Sequence, residues 1–329
     1  MYFIMKNKQF RLNLKDKKIL YELDKNARQP CSQIARKIGV STEVVNYKVK
    51  RFEEMGIITQ YQLVVNLHQI NVVHFKICIA LQHITSSRLR EIMEILKKDK
   101  NVKWIVSCNG RWDLILVLET DSVEKIDSSK DEILSLFRGY ILEKAISISV
   151  SAKISSRRYL MEHAKYNTNQ DIIVMKKEEA VELDSQDLLI LSKLSENSRK
   201  PITELATVMG LTPAIVAYKI KLLQKKRVIL GFKVALNYEK LGIKFYKTFI
   251  YLDSPKTERV KSLSDYLTLN KHVTHNVKVL ANWDFEPEFE VFSEDDFDRI
   301  LEDLRNNYSD IIKKIDIVTI AKEHKFVYF

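Results

Sequence analysis

The stretch GVSTEVVNYKVKRFEEMGII, Gly39 to Ile58, decides the fold of this chain. It reads as a glycine turn, a cap, and a helix with one apolar face and one polar, basic face. Ser41 suits the N-cap, and Gly56 suits the C′ position, where the backbone needs φ > 0. Val45, Val49 and Phe52 recur at i, i+4 and i+7 and mark a buried stripe. The opposite face carries Glu43, Asn46, Tyr47 and Lys50, flanked by Lys48 and Arg51. A short helix from Ser32 to Ile38, joined through Gly39, completes a helix-turn-helix pattern.

The same stretch returns as GLTPAIVAYKIKLLQKKRVI, Gly210 to Ile229. The offset is 171 residues, and it holds from Asp16/Asp187 through Arg28/Arg199, Pro30/Pro201, Tyr47/Tyr218, Lys48/Lys219, Lys50/Lys221 and Asn66/Asn237 to Trp112/Trp283 and Asp113/Asp284. No insertion interrupts the register. The period is too long for a solenoid, so the chain is a duplicated module. The second copy departs at Arg227, where the first has Gly56, so its helix must end without a glycine cap.

Each unit opens with three helices and then changes to the period of strands. In the first, Lys15 to Asn26 places Ile19, Leu20 and Leu23 at helical spacing, and Tyr61 to Val65 reads as a wing strand. The remainder alternates: strand Phe75–Gln82, helix Ser86–Lys98, strands Val102–Cys108 and Trp112–Glu119 around an Asn109-Gly110 hairpin turn, helix Ser122–Phe137, strand Ile141–Ala152. That βαββαβ order is ferredoxin-like, a split βαβ. The expected class is α+β in two repeats: winged helix-turn-helix at 12–66, ferredoxin-like domain at 67–158, linker at 159–182, and the same pair again at 183–237 and 238–329. Within the linker, DIIVM reads as a stray strand.

Composition narrows the class. Fifty-four Lys and Arg face 43 Asp and Glu, a net charge of +11, which suits a polyanion such as nucleic acid or an acidic membrane surface. The three cysteines form no CxxC pair, and His272 and His275 have no partner at metal-site spacing, so neither a disulfide framework nor a metal is expected. The opening MYFIMKNKQF is too short and too soon broken by lysine for a signal peptide, and the apolar runs are of strand length only. A cytoplasmic protein with no membrane span and no cofactor is expected.

The paired basic helices point to double-stranded DNA. A major groove admits one helix, whose exposed side chains reach base edges while lysines hold phosphates. The expected base-facing residues are Glu43, Asn46, Tyr47 and Lys50 in the first unit and Ala214, Ala217, Tyr218 and Lys221 in the second. Lys48, Arg51, Lys219, Lys225, Lys226 and Arg227 are the expected phosphate contacts.

On these residues the chain resembles the leucine-responsive/asparagine-synthesis (Lrp/AsnC, feast/famine) regulator family, once per unit and over nearly the whole length. The resemblance implies transcription regulation, a ferredoxin-like (RAM/AsnC-type) regulatory domain after each winged helix, and pairing of the two regulatory sheets. It also implies a single-chain, internal pseudo-dimer, with or without further homo-oligomerisation, and in many members an amino-acid effector. The matching effector loop is Asn109, Gly110, Arg111, Trp112 and Asp113, where Gly110 admits a carboxylate and Asp113 accepts from an α-ammonium. The second unit keeps Trp283 and Asp284 but has lost the glycine. Tight hairpins with tryptophan packing anchors are the alternative reading of both loops.

Two further readings stay open. Fused sirohaem decarboxylases are similar in architecture, and His275-Asn276 resembles a piece of their site, although the first unit has Trp104-Ile105 there. The other is an interaction module that no longer binds DNA. Glu286, Glu288 and Glu290 alternate along a strand that also contains Pro287. Lys76 and Lys247 sit at inward positions where they can pair with these acids, and a local bulge is the expected answer to the proline.

Overall fold

The computed structural model describes residues 10–161, 172–176 and 181–327. The opening residues, expected not to be a signal peptide, fall largely outside this set, as does most of the linker.

Capping decides where the first helices start. Asn13 and Asp16 exchange side-chain and backbone hydrogen bonds (2.9 and 3.1 Å) to form a capping box at the head of α1 (Leu14–Lys25). Asp184 and Asp187 repeat the box at α6 (Ser185–Glu196). Helix α2 (Cys31–Ile38) ends at Gly39 and α7 (Ile202–Met209) at Gly210, both left-handed. Helix α3 (Thr42–Glu54) starts from Ser41, whose Oγ accepts from Val44 N, and α8 (Pro213–Lys225) starts from Thr212. At the end of α8, Arg227 adopts φ +55 in place of the glycine that gives Gly56 φ +60.

The expected wing is a strand, but its partner comes from the other repeat. Strand β1 (Ile58–Val65) pairs antiparallel with β7 (Ile229–Leu236), Leu63 opposite Phe232. The ends are tied symmetrically. Ala27 N donates to Phe232 O and Ser198 N to Tyr61 O, while Asn66 N donates to Val228 O and Asn237 N to Ile57 O. One apolar core runs through both helix sets, from Ile19, Leu23 and Phe52 to Ile190, Leu194 and Leu223.

The remaining strands close on themselves. The first repeat supplies β2 (Val73–Leu81), β3 (Val102–Gly110), β4 (Leu114–Thr120) and β5 (Ile141–Ser155). The second supplies β8 (Lys244–Leu252), β9 (Val273–Leu280), β10 (Phe285–Val291) and β11 (Ile312–Phe326). Each set has the ferredoxin-like order, β5-β2-β4-β3 and β11-β8-β10-β9, all antiparallel. The fifteen-residue strands β5 and β11 are long enough to serve two partners. The first half of each pairs within its repeat, and the second half pairs across, β5 to β9 and β11 to β3. The result is a ring of eight strands with no free edge between the repeats. Strand β6 (Ile172–Met175), the expected stray strand, is added outside on β5.

Helices α4 (Ser86–Lys98) and α5 (Glu124–Leu136) cover the outer face of the first half. Helices α9 (Thr257–Leu269) and α10 (Glu294–Tyr308) cover the second. A third apolar cluster fills the ring's interior with residues of both repeats, among them Trp104, Trp112, Phe249 and Trp283. Pro287 makes no bulge against β8. That ladder passes from Phe285/Ile250 to Glu288/Lys247 in register, and the irregularity falls on the other side, where the ladder to β9 shifts between Glu288 and Phe289, just beyond the proline. No single helix among the described residues is long and apolar enough to cross a membrane.

Candidate nucleic-acid interface and the barrel beneath it

The apolar stripe of α3 is buried at Val45, Val49 and Phe52, which turns Glu43, Asn46, Tyr47, Lys50 and Arg51 to solvent. The stripe of α8 (Val216, Ile220, Leu223) does the same for Ala214, Tyr218, Lys221 and Lys225, with Ala217 half-buried. Tyr47 and Tyr218 are 62% and 65% exposed, high for aromatic side chains and matched between repeats. Glu43 accepts from its own helix start and from Ser41, which holds its carboxyl below the usual range. Lys50 reaches Glu54 at 3.7 Å on the surface.

Lys48 and Lys219 are placed differently from the sequence expectation. Lys48 Nζ lies 2.8 Å from Asp16, and Lys219 Nζ lies 2.6 and 2.9 Å from Asp184 and Asp187. Both lysines turn back onto the acidic caps of α1 and α6, because their positions flank the buried stripe. Arg227, at the end of α8, donates to Val174 O rather than lying along the reading face.

The two helix-turn-helix units are fixed to each other by reciprocal arginines. Arg28 donates to Ser198 O and Lys200 O (2.5 and 3.0 Å) and lies over the Phe232 ring. Arg199 donates to Ala27 O (2.7 Å) and lies over the Tyr61 ring. The guanidinium planes serve both stacking and backbone carbonyls, which a lysine cannot do together.

Beneath the ribbon, a buried polar hub joins the helices to the ring. Arg157 contacts Asp24 at the end of α1 (2.5 Å), Val234 O on β7 (2.7 Å) and Glu290 on β10 (2.8 Å). Lys233 adds a 2.8 Å contact to Asp24. Burial would raise the Asp24 carboxyl, but Lys233 and Arg157 together hold it below its ordinary value. Sequence reading missed this hub; the pairing of Asp24 with Lys233 and Arg157 depends on three distant segments.

Inside the ring the acidic stripe is neutralised as expected. Glu286 meets Lys76 at 2.9 Å and Lys247 at 3.1 Å, and Glu288 meets Lys247 at 2.9 Å. Ser147 and Trp283 Nε1 donate to Glu286 as well. Despite the cost of burial, both carboxyls are driven well below their usual range by these cations.

The expected effector turn is occupied by the protein itself. Asn109 and Gly110 continue β3, opposite Thr319 and Val318 of β11, and the reversal falls at Arg111–Asp113 instead. A Cβ on Gly110 would stand 2.5 Å from Ile317 O, so the glycine admits the neighbouring strand, not a carboxylate ligand. Arg111 pairs with Glu143. Asp113 Oδ2 accepts from Leu81 N at 2.7 Å, and Asp284 Oδ2 accepts from Leu252 N at 2.9 Å. Trp112 and Trp283 are buried and meet across the interior, ring centroids 6.3 Å apart. His275 is bound to Glu288 (3.1 Å), and Asn276 donates to Ser264 O (3.1 Å) and Thr268 (3.3 Å). Among the described residues, no group of three or more His, Cys, Asp or Glu is arranged to hold a metal.

These features define two helix-turn-helix units mounted on a closed, double ferredoxin-like ring. A family of winged helix-turn-helix DNA-binding domains matches residues 12–59. An uncharacterized HTH-type transcriptional regulator of Pyrococcus furiosus is 34% identical over 104 residues, 32% of this chain and 69% of that protein. The HTH-type transcriptional regulator LrpA of Pyrococcus abyssi is 37% identical over 60 residues, 18% of this chain and 43% of that protein. Among solved structures, the siroheme decarboxylase NirDL shares the fold over 96% of this chain and 93% of its own, with a TM-score of 0.59 and 12% identity. The chain belongs to the Lrp/AsnC family of winged helix-turn-helix regulators.

Proposed function

We propose that this protein is a sequence-specific, DNA-binding transcription regulator that acts as an internal pseudo-dimer. Helices α3 and α8 are its readers. The observation that carries the reading is the matched pair of solvent-facing surfaces: Glu43, Tyr47 and Lys50 on one helix, Ala214, Tyr218 and Lys221 on the other. Reciprocal Arg28 and Arg199 contacts and the shared core support a fixed spacing between the two readers. Residues 12–66 and 183–237 are assigned as the reading domains, and 67–158 and 238–329 as the regulatory halves. Lys50, Arg51, Lys221 and Lys225 are assigned to phosphates and groove edges, whereas Lys48 and Lys219 are assigned to the fold. The self-satisfied turn at Arg111–Asp113 supports a structural role there, so response to a small molecule is assigned to another part of the ring.

The test is a salt titration of binding to genomic fragments. A regulator of this kind loses affinity steeply as salt rises and keeps a sequence preference at each salt concentration. The shared fold with a siroheme decarboxylase favours a second reading, an enzyme acting on a tetrapyrrole. An absorbance scan of the purified protein and of the protein mixed with iron uroporphyrin decides it: the regulator reading expects no bound Soret band.

A further inference from the structure

A cavity of about 150 Å³ lies between the β1–β7 ribbon and the ring. Gln62, Ala235 and Leu236 of the ribbon form its roof, and Trp104, Val117 and Phe245 of the ring form apolar walls. A cavity of this size holds about six heavy atoms, as one of similar volume accommodates benzene.

The charged groups at its surface are mostly satisfied. Lys76 is held by Glu286, and Arg157 by Asp24 and Glu290. Glu288 is held by Lys247 and His275. Burial pushes His74 down to about 3, so it is neutral, with Nδ1 3.0 Å from Ser149 Oγ. Glu323 accepts from Trp104 Nε1 at 2.8 Å, and burial raises its carboxyl.

Glu119 is the exception. Its side chain is only 9% exposed, and its cationic neighbour, Lys103, stands 3.6 Å away. Burial pushes its carboxyl up to about 7, against the pull of Lys103. Its counterpart in the second repeat, Glu290, has Arg157 at 2.8 Å, Tyr238 at 3.0 Å and the Tyr159 hydroxyl as well. The sequence offers no second arginine for Glu119: the residue 171 positions after Arg157 is Tyr328. On the side where a cavity opens, the repeat has therefore kept the carboxylate without the arginine, and its ion pair is the longer one to Lys103.

We propose that this cavity is a ligand site for a small organic cation, an alkyl amine whose ammonium pairs with the Glu119 carboxylate while its body packs against Trp104 and Val117. The occupant touches the ribbon and the ring together, so binding there biases how the reading helices are carried. This regulatory meaning rests on the DNA-binding function proposed above, whereas occupancy itself does not.

Calorimetry on the full chain at pH 8, without DNA, tests it with three probes of one carbon skeleton: 3-methylbutylamine, 3-methylbutanol and 3-methylbutanoate. The amine is expected to bind at least tenfold more tightly than the alcohol or the acid. Glu119→Gln should lower amine affinity at least tenfold while the protein still melts cooperatively. Val117→Phe, which fills the cavity without touching the charge, should remove binding of amine and alcohol alike and covers the case of a poorly folded Gln variant. Preference for the acid, no amine binding at millimolar concentration, or unchanged affinity in Glu119→Gln would each overturn the proposal. DNA binding is measured separately without amine, so its failure would reject the regulator reading and leave the cavity result standing.

Discussion

Lys48 Nζ sits 2.8 Å from Asp16 Oδ1, and Lys219 makes the equivalent contact to Asp187 at 2.9 Å in the second repeat. Each lysine ties a reading helix to the capped start of the first helix in its unit. Their side chains are 18% and 14% exposed, too enclosed to lie along a phosphate backbone. Lys50 and Lys221, two residues further along each helix and so on its other face, are exposed. Replacing Lys50 or Lys221 with Ala should therefore reduce the log–log salt slope of DNA binding by about one unit each. Lys48→Ala and Lys219→Ala should leave the slope unchanged and appear as lost stability in thermal melts.

Arg157 is the cation shared by Asp24 of the helices and Glu290 of the ring. Removing one partner of a buried ion pair leaves an uncompensated charge, at a cost of about 3–5 kcal/mol. Arg157→Leu should lower the urea midpoint accordingly. Hydrogen exchange should quicken first at the β1–β7 ribbon, where the hub holds helices and ring together. Equal exchange everywhere would mean that the hub does not couple them.

Glu119 gives a pH signature of defined sign. Its folded carboxyl titrates at about 7 and its unfolded one near 4.5. Between those values the folded state binds the proton and the unfolded state does not, so this group's contribution falls as pH rises through that window. The difference amounts to about 3 kcal/mol over the window. Glu119→Gln lacks this titration. Urea unfolding at pH 4.5 and 8 should show the variant gaining on the parent at the higher pH, whereas a constant difference would place Glu119 in an ordinary solvated setting.

Two backbone positions should respond in opposite directions. Gly110→Ala drives a methyl into Ile317 O across the β3–β11 seam and should destabilise by about 1–3 kcal/mol. Arg227 holds a left-handed conformation at φ +55, so Arg227→Gly should stabilise by about 1–2 kcal/mol. Chemical denaturation of both variants checks the pair.

Local chemistry made much of this fold legible. Caps, glycine turns and apolar stripes announced the helices, and the constant offset announced the duplication. The inward lysines Lys76 and Lys247 were readable against the acidic stripe because strand alternation puts them on one face. What could not be read was which strand meets which across the repeats. Asn109-Gly110 carries the signal of a hairpin turn, yet β11 claims both residues for its ladder. Tyr61 to Val65 has a strand's composition but nothing in it says that the partner is Phe232's strand instead of a local wing. The Arg157 hub and the Glu119 cavity depend on those same long-range pairings.

The divergence of the two reading helices makes the central claim directly measurable. Glu43, Asn46 and Tyr47 can hydrogen-bond to bases, whereas the equivalent Ala214 and Ala217 offer only apolar contact, as to a thymine methyl. Binding-site selection from random DNA with the full chain should return two unlike half-sites. The half read by the first repeat should be the more restrictive, each mismatch there costing about 1–3 kcal/mol. Recovery of a perfect palindrome with equal information in both halves would contradict the assignment of α3 and α8 as the two readers, and no enrichment at any salt concentration would contradict DNA reading itself.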